Sequence, residues 1–177
     1  MPRVSLDFEV LGEKQLSRFF DLSSSLLSDM TGIFLRWGED FRETQHGVFA
    51  SEGAFEGRSR WEELSPRYRE WKEANYPGQP ILVLTGRMRS GLTDKEDSDH
   101  IEEIDSTNFA IGVRSDYAQF HQTGTGRMPQ RKVIELTEPQ KLRWVQIARQ
   151  ETWAGLEQAA VDMGITRDFR ERMARDT

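Results

Sequence analysis

The chain has 177 residues, a formal net charge of −6 and no cysteine. A chain of this length typically forms one domain, or one domain with a tail. The acidic balance argues against direct contact with nucleic acid or with an acidic membrane surface, and the lack of cysteine excludes disulfides and thiolate metal sites. No apolar run approaches the about 20 residues that span a bilayer, so we expect no membrane partner.

The composition is polar for a compact domain. Hydrophobic residues make up 36% and charged residues 31% of the chain, and the mean hydropathy is −0.70. Such a balance predicts either a small core with long solvated helices or a subunit that completes its packing against copies of itself. The second alternative implies a homo-oligomer.

The N-terminal part predicts a strand followed by a long helix. Apolar and polar residues alternate over residues 4–10, which is typical of a half-buried strand. From Leu16 to Phe41, large apolar residues recur every three or four positions as one stripe. A helix of roughly thirty residues would reach about 45–50 Å, so its exposed part, with Phe34, Trp37 and Phe41, is expected to contact a neighbouring subunit. The alternative is a single core helix.

Two shorter segments precede the middle of the chain. Residues 50–60 are rich in glycine, serine and charged residues, and they predict a mobile loop that Trp61 pins. A short helix is predicted from Pro66, with Ser65 as its N-cap, and it is expected to end by Gly78.

Short apolar runs separated by turn residues predict a small, mainly antiparallel sheet in the middle of the chain. The clearest strand is Phe109–Val113, where large apolar residues alternate with small ones. Residues 105–108 are predicted to be a hairpin loop that joins this strand to the run before it. The other apolar runs assigned to the sheet region are Ile81–Leu84, Ile101–Ile104 and Val133–Ile134.

A capping box at Thr137–Gln140 predicts the start of a C-terminal helix. Its apolar residues begin at Leu142 and Val145, and Gly155 marks an alternative end because glycine costs about 1 kcal/mol of helix propensity. We predict one domain at residues 1–150 and a charged helical extension at residues 151–177. The fold class is therefore α+β, a small mainly antiparallel sheet packed by a long N-terminal helix and a C-terminal helix.

The sequence contains no pattern for catalysis, cofactor binding or metal binding. The histidines, His46, His100 and His121, stand at none of the spacings of metal ligands. The Gly124–Gly126 loop lacks the Gly-Lys-Ser/Thr sequence of a phosphate loop, and there is no Gly-x-Ser-x-Gly motif. We expect no enzyme activity, no metal and no cofactor.

Two local basic clusters, at residues 86–89 and 126–132, stand in an otherwise acidic chain. Contacts to backbone phosphates are one interpretation. An acidic protein with basic loops is better suited to complementary docking between protein subunits.

Taken in order, these features resemble the phage virion morphogenesis family, the tail-completion proteins of Mu-like and related tailed phages. The resemblance covers residues 1–150. Its most specific part is the Tyr-Ala-x-x-His-Gln-x-Gly motif at Tyr117–Gly124, followed by Pro-x-Arg at Pro129–Arg131. The chain departs from the family at Lys132–Leu136, where the family usually has an aromatic-rich Pro-Phe-Leu-Gly run.

The resemblance implies a structural virion component at the head-proximal end of a tail. Such a protein forms a ring with copies of itself and touches other tail proteins or head-tail connector proteins, and the family implies no catalysis. It would be made in the host bacterial cytoplasm and would lie at the head-tail junction of the virion. Two alternatives stay open: a nucleic-acid-associated packaging or regulatory module, and a hydrolase that depends on His121.

We interpret the segment from Tyr117 to Arg131 as a docking loop. Tyr117 and Phe120 are expected to anchor one end in the core, while glycines allow positive φ in the middle. The residues predicted to serve the interface are Tyr117, Phe120, His121, Gln122, Gly124, Arg127, Pro129 and Arg131. Replacing Arg131 is expected to leave the fold nearly intact, and a plain connecting loop is the alternative interpretation.

Overall fold

The computed structural model describes residues 28–162, together with positions 17, 21, 24 and 25. The strand predicted at residues 4–10, most of the helix predicted before Thr31 and the charged end of the chain lie outside the described residues. Residue contacts divide the chain into two compact units, one formed by Met30–Ala148 and the other by Met1–Asp29 with Arg149–Thr177. The core and the candidate site belong to the first unit.

The described part contains five helices and one β-hairpin, so the predicted α+β class is confirmed. In chain order the elements are α1 (Thr31–Ala50), α2 (Pro66–Asn75), α3 (Arg87–Thr93), β1 (His100–Ile104), β2 (Phe109–Val113), α4 (Ala118–Thr123) and α5 (Glu138–Asp162). The two strands are antiparallel, with His100 opposite Val113 and Ile104 opposite Phe109.

The core of the Met30–Ala148 unit lies between α1, α3 and the irregular segments that connect the helices. Its side chains come from distant parts of the sequence, which is why short-range patterns define it poorly. The buried apolar residues of this cluster are Phe41, Val48, Phe49, Trp61, Ile81, Val83, Met88, Leu92 and Val133.

The segment between α1 and α2 is packed, although the sequence predicted a mobile loop. Trp61 is buried, as expected, and its ring meets the ring of Phe49 edge-on at 5.4 Å. Its indole Nε1 donates to the carbonyl of Lys132 at 2.9 Å. Gly53 has φ +96°, and a Cβ there would lie 2.8 Å from the Trp61 ring, so only glycine lets the chain pass this close.

The sheet has fewer strands than predicted. Ile81–Leu84 forms a turn, in which Leu82 takes φ +63° and the amide of Val83 donates to the carbonyl of Pro80 at 3.0 Å. Ile81 and Val83 are buried all the same, because a short apolar run can enter a core as irregular chain as well as strand. Residues 133–134 are not in a strand either. The predicted hairpin is confirmed, and Asp105 closes its loop by accepting from the amides of Thr107 and Asn108.

Helix α5 starts as predicted and continues through Gly155 without a break. The amide of Gln140 donates to the Thr137 hydroxyl at 3.3 Å, which is one half of the predicted capping box. The predicted apolar stripe does not face the core: Leu142 is 64% exposed and Val145 65% exposed. The face that contacts α1 carries polar and aromatic residues instead.

Candidate protein interface

The docking loop, residues 117–131, leaves β2 and returns to the core beside Trp61. It opens with helix α4, and Gly124 reverses the chain with φ +74°. A Cβ on Gly124 would lie 2.9 Å from the amide nitrogen of Gln130, so this position requires glycine for its conformation and for its space. Beyond it, Thr125 and Met128 pair through two backbone hydrogen bonds of 2.8 and 3.2 Å.

Gln122 ties the first half of the loop to the chain that follows it. Its carbonyl Oε1 accepts from the amides of Val133 and Ile134 at 2.9 and 3.0 Å. Its Nε2 donates to the carbonyl of Ile134 at 2.6 Å. One side-chain amide thus satisfies three backbone groups that lack strand partners, so Gln122 supports the loop from inside.

Arg131 closes the second half of the loop. Its side chain is buried, its Nε donates to the carbonyl of Glu62 at 2.7 Å, and its Nη2 donates to the carbonyl of Glu63 at 3.0 Å. Burial lowers the pKa of Arg131, and the nearby carboxylates of Glu62 and Glu63 oppose that shift. Contrary to the expectation from the sequence, we therefore expect replacement of Arg131 to destabilise the fold, because this side chain joins two segments of the core.

His121 lies inside the base of the loop. Burial, and next the charge of Arg131, lower the pKa of His121, so the neutral imidazole is favoured. The Tyr117 ring meets the imidazole edge-on at 6.2 Å. Among the described residues its Nδ1 has no hydrogen-bond partner.

The outer side of the loop is exposed to solvent. Tyr117 is 40% and Phe120 47% exposed, which corrects the expectation that they anchor the loop in the core. Arg127 and Pro129 are exposed as well. Aromatic residues and arginine are enriched at the centres of protein interfaces. A loop with a fixed base and an apolar, basic outer surface can bind another protein with little ordering cost.

The three helix residues predicted to meet a partner lie inside the unit. Phe34 and Phe41 are buried, and Trp37 stacks on Trp144 with ring centroids 4.8 Å apart. The Trp37 indole also donates to the carbonyl of Trp144 at 2.9 Å. Trp37 thus attaches α5 to α1, whereas Phe34 stacks on Phe109 and Phe41 belongs to the core cluster, so we leave all three out of the interface.

Sequence reasoning missed an exposed aromatic group on α2. Tyr68 and Trp71 stack at 5.4 Å, and Trp71 meets Tyr76 at 5.9 Å. All three are exposed, and Lys72 is the buried side chain of this helix. The signal was available, because two aromatics stand three positions apart in a segment that is otherwise charged.

A polar cleft of about 880 Å³ runs beside the docking loop. Its lining mixes both signs of charge, and the pairs include Arg58 with Glu135 and Lys132 with Glu135. In the part of the chain that the structure describes, no group of three or more His, Cys, Asp or Glu residues could hold a metal ion. No described helix is long and apolar enough to cross a membrane.

Comparison with known proteins gives one family. The sequence model of the phage virion morphogenesis family matches residues 12–152, a range that includes all of α1–α4, the docking loop and most of α5. Searches of curated proteins and of solved structures found no significant match.

Proposed function

Because the chain belongs to the phage virion morphogenesis family, its role lies in building the virion, and we propose that it completes the head-proximal end of a phage tail so that tails join heads. In this proposal the protein is a structural part of the neck region. It binds copies of itself as a ring, and it binds other tail proteins or head-tail connector proteins. It acts by docking alone and carries out no chemical step.

The docking loop supports this proposal more than any other described feature. The side chains of Gln122 and Arg131 hold its base by five hydrogen bonds, and the backbone bond from Arg131 to His121 adds a sixth. The same loop displays Phe120 and Arg127 to solvent. A rigid base keeps the displayed groups in one geometry, which repeated contacts in a closed assembly require.

The loop is tested by the double variant Phe120→Ser with Arg127→Glu, supplied to phage that lack the wild-type protein. Both side chains are exposed, so we expect a folded protein with unchanged unfolding temperature. Electron microscopy should show DNA-filled heads beside separate tails. The matched control, Tyr68→Ser with Arg67→Glu, likewise replaces an exposed aromatic residue by serine and an arginine by glutamate, on α2, and should give joined particles.

These experiments distinguish an error in the assigned docking surface from an error in the proposed function. If the α2 variant blocks joining and the loop variant does not, the docking surface lies on α2. If phage without any copy of the protein still produce joined particles, the proposed function itself is wrong.

A further inference from the structure

The outer edge of β2 has unpaired backbone groups. Hydrogen bonds from the amide of Asp105 to Asn108 and from Arg114 to Asp99 mark the two ends of the β1–β2 ladder. Bonded and non-bonded pairs alternate along an antiparallel ladder. The N–H and C=O groups of residues 109, 111 and 113 therefore point away from β1, and none of them bonds to another group within residues 28–162.

Within β2, this edge carries no charged side chain, no proline and no bulge. Natural edge strands are commonly blocked by charged side chains, proline or bulges. β2 reads Phe-Ala-Ile-Gly-Val, without charge or proline, and it pairs with β1 in an unbroken register. On its open face Ala110 is exposed, and a Cβ on Gly112 would meet no atom within 4 Å. β1 differs, because Glu102 and Glu103 lie in its middle.

An isolated two-stranded hairpin is a marginal sheet, which either helix packing or added strands can stabilise. This hairpin packs on α1 and α3, and its outer edge leaves room for added strands. We propose that the outer edge of β2 pairs antiparallel with β2 of a second copy, centred on Ile111. Two hairpins then form one four-stranded sheet across a two-fold axis.

The register follows from the free groups. With Ile111 opposite the partner's Ile111, Phe109 lies opposite the partner's Val113, so every outward-pointing residue meets another one. Each such pair exchanges two backbone hydrogen bonds. An aromatic residue faces a β-branched residue on one side of the sheet, which is a favourable cross-strand pair. On the other side Ala110 faces the partner's Gly112, so the strands approach without a clash or a like-charge contact.

The pairing is isologous, since both copies use the same residues. The pairing does not involve the docking loop, and it adds a contact that the proposed ring does not include. An assembly can combine a two-fold contact with a second, heterologous contact in dihedral symmetry. The competing occupant of the edge is the alternating segment at residues 4–10, and the experiments below distinguish the two.

Disulfide trapping tests the register. In the proposed pair, the Cα atoms of Ala110 and the partner's Gly112 are about 4.5 Å apart, within disulfide range. The two copies of Ala110 are diagonal neighbours about 7–8 Å apart, beyond that range. Because the natural chain has no cysteine, every disulfide in single-cysteine variants links two copies. An oxidised mixture of the variants A110C and G112C should form a covalent dimer, and neither variant alone should.

A second experiment places like charges at the proposed contact and measures the mass of the assembly. The variant A110K/G112K puts lysines opposite lysines across the pair while leaving the core untouched, so light scattering should show half the mass of the wild-type species. The control A74K/Q79K adds the same charge at exposed positions on and just after α2, away from β2, and should keep the wild-type mass. The proposal is overturned if the cysteine mixture does not crosslink, if A110C alone crosslinks equally well, or if removing residues 1–11 halves the mass while A110K/G112K does not.

Discussion

At the scale of single residues, several polar side chains act as backbone partners in place of secondary structure. The segments around Trp61 and Val133 have no strand to satisfy their peptide groups, and buried peptide groups need partners. Arg131 supplies two donors to one segment, and Gln122 supplies a donor and an acceptor to the other. Residues expected to serve a partner are therefore needed for the fold itself.

Arg131→Ala should destabilise the protein by roughly 2–4 kcal/mol, because it leaves two buried carbonyl groups without donors. Arg131→Lys should lose less, since an ammonium group can still reach one carbonyl but cannot reproduce the guanidinium geometry. The free energy of unfolding from urea titration measures both effects. Arg127→Ala, in the exposed part of the same loop, should stay within about 0.5 kcal/mol of wild type. Equal stability of the Arg131 and Arg127 variants would contradict the role given to Arg131.

At the scale of elements, the attachment of α5 to α1 depends on polar contacts together with aromatic stacking. Asp40 accepts from the guanidinium of Arg143 at 2.7 Å and from the Trp144 indole at 2.8 Å. The buried Gln140 amide also approaches Asp40, at 3.3 Å. This polar face packs inward, so the apolar residues Leu142 and Val145 remain outside.

Helix α1 offers two glycines with opposite surroundings. A Cβ on Gly47 would lie 2.4 Å from the ring of Phe55, whereas a Cβ on Gly32 would meet nothing within 4 Å. Gly47→Ala should therefore cost about 1–3 kcal/mol through overpacking, and Gly32→Ala should stabilise the helix by up to about 1 kcal/mol. Urea unfolding midpoints should move in opposite directions. Adding Phe55→Leu to Gly47→Ala should recover part of the loss, and no recovery would show that the ring contact is not the cause.

At the scale of the whole molecule, one unit carries the described hydrophobic core. Every buried residue of that cluster lies between Met30 and Ala148. The sequence predicted a different division, with a domain at residues 1–150 and an extension at residues 151–177. The two divisions disagree on whether the first 29 residues are needed for a folded core.

We expect a fragment of residues 30–148 to fold cooperatively, because it retains the cluster, the hairpin and the base of the docking loop. Circular dichroism during urea titration should give a single transition with a midpoint close to that of the full chain. A fragment of residues 1–150 is the matched control and should also fold. If only the longer fragment shows a cooperative transition, the domain boundary predicted from the sequence is the correct one.

The sequence by itself determined the features that depend on neighbouring residues. The hairpin follows from the alternation in Phe109–Val113 and from the turn chemistry of Asp105. The start of α2 follows from proline at its first position, Pro66, although the Ser65 side chain forms no cap hydrogen bond. The cap of α5 at Thr137 follows from the few residues around it. The family also follows from local motifs, since their order and spacing persist without knowledge of the fold.

Which residues of these segments are buried was decided by the tertiary structure alone. Ile81 and Val83 enter the core in a turn, because Glu52 accepts from the Ile81 amide and no strand is there to do so. Arg131 lies inside, while Phe120 of the same loop lies outside. These outcomes depend on contacts between residues far apart in the chain, and a periodic pattern carries no information on which distant group will satisfy a peptide N–H or cover a ring.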